Sequence, residues 1–168
     1  MKIFFVGFMG SGKTTLGRKL ASLINFDFID TDHYIEQQYG LKVSEIFAQK
    51  GETAFRKIEH ETLIHLLESD QILISTGGGM PCFGDNMDLM LDHGKVVYLK
   101  TSPKALALRL LNSRTERPLI KDKTKDELLL YIEDKLNERE PFYNKAHHII
   151  QTEDFSFEQL IRTLNLRF

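Results

Sequence analysis

Eight residues near the start of the chain carry the clearest chemistry in this sequence. Residues 7–14 read Gly-Phe-Met-Gly-Ser-Gly-Lys-Thr, which matches the phosphate-loop pattern G-x-x-x-x-G-K-[ST] at every fixed position. Glycines lack a Cβ atom, so such a loop can turn tightly and surround an anion with backbone N–H groups. Lys13 can reach the β- and γ-phosphates of a nucleoside triphosphate, and the Thr14 hydroxyl can ligate Mg²⁺. The motif predicts nucleotide binding but does not define the reaction.

The residues around this phosphate loop predict the strand and the helix that position it. The apolar run at residues 3–6 is typical of a buried strand, and residues 15–24 place four apolar side chains on one helical face. A helix that starts near Lys13 would add the positive end of its dipole to the anion site. A glycine-rich turn that ends in Lys-Thr by chance is the alternative, and the flanking strand and helix argue against it.

Apolar strands alternate with helical patterns along the rest of the chain. Each strand is followed by a helical pattern, and the predicted strands lie near residues 2–7, 26–30, 71–75, 95–100 and 146–150. This alternation predicts an α/β fold, a five-stranded parallel sheet flanked by helices on both faces, in one domain over residues 1–168. Pro141 is expected to kink or end the helix that precedes the last strand. Ligands of such sheets bind at the carboxyl ends of the strands.

Two acidic residues follow the second predicted strand and face this ligand crevice. Asp30 and Asp32 flank Thr31, and one carboxylate could hold a water molecule on Mg²⁺. The other could accept a hydrogen bond from an acceptor hydroxyl and act as a base. Because Asp is also a favoured helix N-cap, a purely structural role for Asp32 stays open at this point.

Three consecutive glycines, the glycine triplet Gly77, Gly78 and Gly79, follow the third predicted strand. Three glycines in a row cost conformational entropy and pack nothing. A close approach of the backbone to a ligand explains them better than a plain turn, which remains the alternative.

Four arginines are candidates for anion binding, because the guanidinium fork suits carboxylates and phosphates. They are Arg56, Arg114, Arg117 and Arg139. Arg114 and Arg117 lie in a polar stretch that could close as a lid over residues 113–123. For any one of the four, a solvated surface cation is the alternative.

Composition and charge exclude several classes of protein. The 168 residues carry 22 Lys and Arg against 24 Asp and Glu, a formal net charge of -2, without a long basic block, so nucleic-acid binding is not favoured. Cys82 is the only cysteine, which excludes an internal disulfide and a cysteine-based zinc cluster. No apolar run approaches the roughly 20 residues that span a bilayer, and none resembles a signal peptide. We expect a cytoplasmic monomer that binds neither nucleic acid nor membranes.

Together these pieces resemble the shikimate kinases in their order and spacing, over nearly the whole chain. Besides the phosphate loop, the matching pieces are Asp30-Thr31-Asp32, Phe55-Arg56 with Glu59, Thr76-Gly77-Gly78-Gly79, Arg117-Pro118-Leu119 and Arg139-Glu140-Pro141-Phe142-Tyr143. The resemblance implies the nucleoside-monophosphate-kinase fold. It also implies transfer of the γ-phosphoryl group of ATP to the 3-hydroxyl of shikimate, a step towards chorismate and the aromatic amino acids.

The resemblance further implies a role for each nucleotide-binding residue. Mg²⁺ would be held by Thr14 directly and by Asp30 through water. Lys13 and Arg117 would act on the phosphates during catalysis, Arg117 as the lid arginine. The ATP phosphates would bind at Gly10, Ser11, Gly12, Lys13, Thr14 and Thr15.

On the acceptor side, the resemblance implies that Asp32 takes substrate hydroxyls and a proton. Arg56 and Arg139 would grip the shikimate carboxylate, and Gly78, between Gly77 and Gly79, would lie against the ring. A substrate-binding helical region is expected over residues 32–70.

Two features depart from the family pattern. Residues 153–156 offer no arginine after the last strand, where many members contact adenine, so this contact is expected to be mostly backbone. The lid is also short, and Arg114 is therefore assigned no firm role. Two alternative functions stay open, another small-molecule kinase such as a gluconate kinase and a nucleotide-binding module without turnover.

Overall fold

The computed structural model describes residues 1–113 and 117–166, and a parallel sheet lies at its centre. The order of the strands in the sheet is β2-β3-β1-β4-β5, and every neighbouring pair is parallel. The strands are β1 (Lys2–Val6), β2 (Asp27–Asp30), β3 (Ile72–Ser75), β4 (Lys95–Lys100) and β5 (His148–Gln151). The predicted five-stranded parallel sheet is confirmed, and β1, which leads into the phosphate loop, occupies its middle.

Helices follow the strands and cover both faces of the sheet. They are α1 (Lys13–Ile24), α2 (Thr31–Tyr39), α3 (Val43–Lys50), α4 (Glu52–Leu66), α5 (Asn86–His93), α6 (Pro103–Leu111), α7 (Lys125–Tyr143) and α8 (Phe157–Thr163). Within the described part of the chain, none of these helices combines the length and the apolar character that crossing a membrane requires.

Side chains of β1 alternate between two apolar layers. Phe4 and Val6 pack in one layer with residues of α4, α5, α6 and α7, whereas Ile3 and Phe5 pack in the other with residues of α1 and α8. Successive residues of a strand point to opposite faces, so a strand that is covered on both sides must be apolar throughout. This is the reason that residues 3–6 form an unbroken apolar run.

A third, smaller apolar cluster joins α2, α3 and α4. It buries Ile35 of α2 and Ile46 of α3 against Phe55 and Ile58 of α4. This helical layer falls within the region over residues 32–70 that the sequence predicts to bind the substrate. Its packing fixes α4 against α2 and thereby sets the distance between the polar side chains that these two helices carry.

The last turn of α7 corrects one expectation. The helix continues through Pro141 to Tyr143, so Pro141 does not end it. Proline in a helix interior removes one backbone hydrogen bond and usually breaks the helix. Here only the final turn follows, in which the Asn144 N–H donates to the carbonyl of Glu140 at 2.8 Å and Tyr143 is fully buried. These contacts hold the turn in spite of the proline.

The predicted lid over residues 113–123 can be followed only in part. Of its second half, Pro118–Ile120 form a short 3₁₀ turn. Arg114 lies outside the described residues. Lid closure and any role of Arg114 therefore stay predictions.

Candidate active site

The phosphate loop connects the end of β1 to the start of α1. Gly10 and Gly12 have φ angles of 81° and 93°, in the left-handed region that favours glycine. Gly12 is the N-cap of α1, and no side chain caps this end. The first N–H groups of the helix are therefore available to an anion, together with the positive end of the helix dipole.

Lys13 folds back over this loop. Its Nζ atom donates to the carbonyl of Gly7 at 2.7 Å and to the carbonyl of Phe8 at 2.9 Å. Burial lowers the pKa of Lys13 from 10.5 to about 8, against the opposing effect of the carboxylates of Asp32 and Asp30. A bound phosphate would raise this pKa again and favour the charged form of the lysine, so Lys13 can pair with an anion.

A cavity of about 440 Å³ opens over the phosphate loop at the carboxyl ends of the strands. It is lined by Met9, Gly10, Gly12, Lys13, Thr14, Thr15, Asp30, Asp32, Ser75, Thr76, Gly77, Gly78, Arg109, Leu110, Ser113 and Arg117. Most of the predicted nucleotide-binding residues thus share one cavity. Ser11 differs, because its side chain is buried and it is not among the described residues that line the cavity.

Asp30 connects the phosphate loop to α2. One of its carboxylate oxygens accepts a hydrogen bond from the Thr14 hydroxyl at 2.6 Å, and the other accepts from the backbone N–H of His33 at 3.3 Å. Asp30 is therefore the N-cap of α2, and Asp32 lies in the first turn of the helix. The capping role that the sequence left open for Asp32 belongs to Asp30.

The oxygens of Thr14 and Asp30 fit the requirements of Mg²⁺. This cation prefers hard oxygen ligands and is usually held by one or two protein groups together with water and substrate phosphates. Among the described residues, no cluster of three or more His, Cys, Asp or Glu side chains could hold a metal by itself. A magnesium site at this place would therefore depend on the phosphates of the nucleotide.

Asp32 borders both the cavity and the glycine triplet. It lines the cavity, and a Cβ atom added to Gly77 would lie only 2.7 Å from its Oδ1 atom. Burial, followed by the negative charge of Asp30, raises the pKa of Asp32 from 3.8 to about 6. A carboxylate with this pKa is a stronger base than an exposed aspartate and is still mostly ionised at neutral pH.

Each glycine of the triplet makes room for a different polar side chain. A Cβ atom on Gly78 would lie 2.9 Å from Nη1 of Arg139, and one on Gly79 would lie 2.5 Å from Cζ of Arg56. The backbone N–H of Gly77 donates to the buried hydroxyl of Thr31 at 2.9 Å, which ties the triplet to α2. The close approach inferred from the sequence thus includes neighbouring side chains of the protein itself.

The guanidinium groups of Arg56 and Arg139 reach the glycine triplet from two different helices, α4 and α7. Arg56 donates through Nη1 to Oε2 of Glu59 at 2.6 Å, and its Nη2 lies 3.6 Å from Oε1 of Glu52. Arg139 lies with its guanidinium carbon 5.5 Å from the centre of the Phe8 ring. Two cations therefore flank a stretch of backbone beside the phosphate cavity.

Glu59 is a site residue to which the sequence analysis assigned no role. Its side chain is only 1% exposed, and its Oε1 atom would lie 3.1 Å from a Cβ atom on Gly77. Burial raises the pKa of Glu59 from 4.5 to about 7, although the Arg56 charge opposes the shift. The signal in the sequence was the spacing of three residues from Arg56, which places both side chains on one helical face.

Two arginines, Arg109 and Arg117, also line the cavity. Arg117 is half-buried, and burial lowers its pKa in spite of the nearby carboxylates of Asp32 and Asp30. Its Nε atom is buried without a hydrogen-bond partner among the described residues. Arg109, which the sequence analysis did not single out, donates to the carbonyl of Gly10 at 3.3 Å. The cavity therefore carries the positive charges of two arginines in addition to Lys13.

The loop after β5 is attached to the start of α6. The Glu153 carboxylate accepts hydrogen bonds from the backbone N–H of Ser102 at 2.9 Å and from the Ser102 hydroxyl at 2.5 Å. This engagement lowers the pKa of Glu153. The side chain of Glu153 is thus occupied within the protein, and a backbone contact with adenine in this region stays a prediction.

Comparison with known proteins places the chain in one family. The family model described as shikimate kinase matches residues 9–165. Shikimate kinase from Parabacteroides distasonis is 50% identical over 145 residues, which cover 86% of this chain and 84% of that protein. Shikimate kinase from Azobacteroides pseudotrichonymphae is 43% identical over 97% of this chain and 96% of its own length.

Solved structures agree with these sequence relatives. The crystal structure of shikimate kinase from Bacteroides thetaiotaomicron superposes with a TM-score of 0.96 at 39% identity and covers 99% of both chains. Shikimate kinase from Acinetobacter baumannii in complex with shikimate gives a TM-score of 0.84 at 33% identity, over 98% of this chain and 90% of that one. Deoxyadenosine kinase from M. mycoides, at 16% identity and a TM-score of 0.62, shares the fold alone. The chain therefore belongs to the shikimate kinase family, whose members are ATP-dependent phosphotransferases with an alcohol group as acceptor.

Proposed function

We propose that this kinase binds ATP over the phosphate loop and shikimate between the glycine triplet and the guanidinium groups of Arg56 and Arg139. The phosphoryl group would pass from one site to the other at Asp32. The observation that carries the proposal is the position of Asp32, which lines the phosphate cavity and also borders Gly77. A group in this position can contact an acceptor hydroxyl while the hydroxyl faces the terminal phosphate.

On the nucleotide side, the phosphates would be held by the N–H groups of the phosphate loop and by Lys13. Gly10, Gly12 and Thr15 would contribute backbone donors. Ser11 could contribute only its backbone N–H, because its side chain is buried, and this N–H donates to the carbonyl of Phe8 at 3.2 Å in the free protein. Mg²⁺, held by Thr14 and through water by Asp30, would supply positive charge at the phosphate oxygens. Arg117 would add its charge from the lid side, through an Nε atom that has no partner among the described residues.

On the acceptor side, the shikimate carboxylate would pair with Arg56 and Arg139. A guanidinium group binds a carboxylate through two parallel hydrogen bonds, and two such groups fix both the position and the direction of a small anion. Gly77, Gly78 and Gly79 would lie against the ring of shikimate. Only glycines leave space at these three positions for the side chains of Asp32, Arg139 and Arg56. Glu59 would hold Arg56 in its binding orientation through their 2.6 Å contact.

The chemical step then follows from this alignment. The 3-hydroxyl oxygen of shikimate would form a bond to the γ-phosphorus while the bond from that phosphorus to the β,γ-bridging oxygen breaks. Asp32 would accept the hydroxyl proton, and Lys13 and Arg117 would stabilise the charge that develops on the departing ADP. The products would be 3-phosphoshikimate and ADP.

A coupled assay of ADP release tests this proposal. We expect ADP release that depends on shikimate, and none that depends on gluconate or on a nucleoside monophosphate. Arg56→Lys and Arg139→Lys should each raise the KM for shikimate with little effect on the KM for ATP, because a lysine cannot bind the carboxylate through a fork. Arg162→Lys, an exposed arginine on α8, is the matched control and should behave as the wild type.

Two outcomes of that assay would contradict the proposal. ADP release with gluconate or a nucleoside monophosphate in place of shikimate would assign another acceptor to the site. Binding of ATP without any acceptor-dependent ADP release would identify a nucleotide-binding module.

Lid closure over residues 113–123 is a separate expectation, and it predicts slower hydrogen exchange there when both substrates are bound.

A further inference from the structure

The hydroxyl of Tyr143 joins α7 to the glycine triplet. Tyr143 is fully buried, and its hydroxyl donates to the carbonyl of Gly78 at 2.5 Å. Arg139 lies one helical turn earlier on the same face of α7. A Cβ atom on Gly78 would lie 2.9 Å from Nη1 of Arg139 and 3.6 Å from the Tyr143 oxygen. The tyrosine, the arginine and the glycine thus meet at one point.

This hydroxyl fixes the orientation of two groups at once. The carbonyl of Gly78 and the N–H of Gly79 belong to one planar peptide group and point in opposite directions. A donor that holds the carbonyl therefore also directs the N–H to the other side of the peptide. The Arg139 guanidinium and the Tyr143 hydroxyl both lie beside Gly78, so the arginine packs against the stretch of backbone that the tyrosine holds.

A second buried tyrosine provides an internal comparison. The rings of Tyr98 and Tyr143 lie with their centres 5.0 Å apart, and both side chains are almost completely buried. The Tyr98 hydroxyl, however, donates to Oε1 of Glu140 at 3.1 Å, a group that also lies 3.5 Å from Nζ of Lys100. Tyr98 therefore supports the same turn of α7 without touching the glycine triplet.

We propose that Tyr143 is a positioning residue for the shikimate carboxylate. Its hydroxyl holds the Gly78–Gly79 peptide and thereby keeps this peptide and Arg139 in a fixed mutual orientation. This inference rests on the proposed function, because it takes Arg139 as a ligand of that carboxylate. Without the hydroxyl, the carbonyl of Gly78 loses its donor, and the peptide against which the Arg139 guanidinium packs gains rotational freedom. The acceptor site then has to be ordered by the substrate itself, at the expense of affinity.

Steady-state kinetics of Tyr143→Phe test the proposal, since phenylalanine keeps the ring and removes only the hydroxyl. We expect the KM for shikimate to rise about tenfold, the usual consequence of leaving one buried hydrogen-bonding group unsatisfied. The KM for ATP should stay unchanged. Tyr98→Phe removes a hydroxyl from the neighbouring ring and should change neither constant. All assays are run well below the unfolding midpoint of each variant, so that loss of stability does not contribute.

A double-mutant cycle with Arg139→Lys tests whether Tyr143 acts through the arginine. If it does, Tyr143→Phe should add much less than its tenfold effect once Arg139 is replaced. An unchanged KM for shikimate in Tyr143→Phe, an equal rise in both KM values, or the same change in Tyr98→Phe would each overturn the inference. Full additivity in the cycle would do so as well. If Arg139→Lys alone has no effect on shikimate, the proposed function fails first, so the two failures can be told apart.

Discussion

Replacement of Gly79 by alanine is a direct test of how the acceptor site is built. Gly79 has φ and ψ angles of -87° and -18°, which any L-amino acid can adopt, so the substitution introduces no backbone strain. The added Cβ atom, however, would lie 2.5 Å from Cζ of Arg56. Carbon atoms in contact are normally about 3.5–4.0 Å apart, so the guanidinium group must move by about 1 Å or more.

The displacement of Arg56 has a calculable consequence. Arg56 is held by the 2.6 Å contact with Glu59, whose side chain is 1% exposed and cannot follow the guanidinium into solvent. A guanidinium that no longer faces the substrate carboxylate loses charge-assisted hydrogen bonds, which contribute roughly 1.5–3 kcal/mol. We therefore expect Gly79→Ala to raise the KM for shikimate about ten- to a hundredfold, at an unchanged KM for ATP.

The control is a second glycine that also lacks room for a side chain but lies at the other end of the strands, where β4 begins. A Cβ atom on Gly94 would lie 2.6 Å from the carbonyl oxygen of Lys2 and 2.8 Å from the Phe4 ring. Both variants should lose about 1–3 kcal/mol of unfolding free energy to overpacking, as measured by urea denaturation. Only Gly79→Ala should change the kinetics. A KM for shikimate that stays at the wild-type value in folded Gly79→Ala would refute the reasoning.

Three further predictions concern ionisable groups of the site. Asp32→Asn should leave ATP binding intact and lower kcat by a factor on the order of 10² or more. In the wild type, kcat/KM should fall about tenfold per pH unit below the Asp32 pKa of about 6, because a protonated carboxyl cannot accept a proton. Unchanged turnover in Asp32→Asn would remove Asp32 from the mechanism. ATP binding at pH 8 should take up about half a proton, since burial lowers the pKa of Lys13 to about 8 in the free enzyme and the phosphates raise it again. Titration calorimetry in two buffers of different ionisation enthalpy measures this uptake, and identical heats would contradict it. Finally, burial raises the pKa of Glu59 from 4.5 to about 7. Between these two pH values the folded protein keeps a proton on Glu59 that the unfolded chain has released, so the free energy of unfolding should fall as the pH rises from 4.5 to about 7. Glu59→Gln should remove this part of the pH dependence, and an unaltered slope would show that Glu59 does not cause it.

The helix ends illustrate how far local sequence signals reach. Three helices begin at Pro103, Lys125 and Phe157, and each follows a Ser or Thr whose hydroxyl accepts from the backbone N–H three residues later, a start signal that the local sequence carries. Pro141 was expected to kink or end α7, and the helix does not end there but continues to Tyr143, because the effect of a helix breaker depends on how well its last turn is held by the rest of the molecule. The contacts of Asn144 and Tyr143 that hold this turn are invisible in the local pattern.

The sequence assigned no role to Glu59, Arg109 or Tyr143. The partner of Glu59, Arg56, lies only three residues earlier, whereas Arg109 and Tyr143 matter because of partners that lie far away in the chain. Tyr143 contacts Gly78, 65 residues earlier, and Arg109 contacts Gly10, 99 residues earlier. Spacing within one helix reveals which residues share a face but cannot reveal what that face meets.

The sequence by itself determined the phosphate loop, the alternation of strands and helices, and the family, because these features depend on contiguous residues whose types and order are sufficient. It also indicated that Gly77, Gly78 and Gly79 permit a close approach. Only the tertiary structure decided that Asp32, Arg139 and Arg56 are the groups that come so close, one at each glycine. These distances follow from the strand order β2-β3-β1-β4-β5 and from the packing of α2, α4 and α7 around one end of the sheet, and no local pattern contains that information.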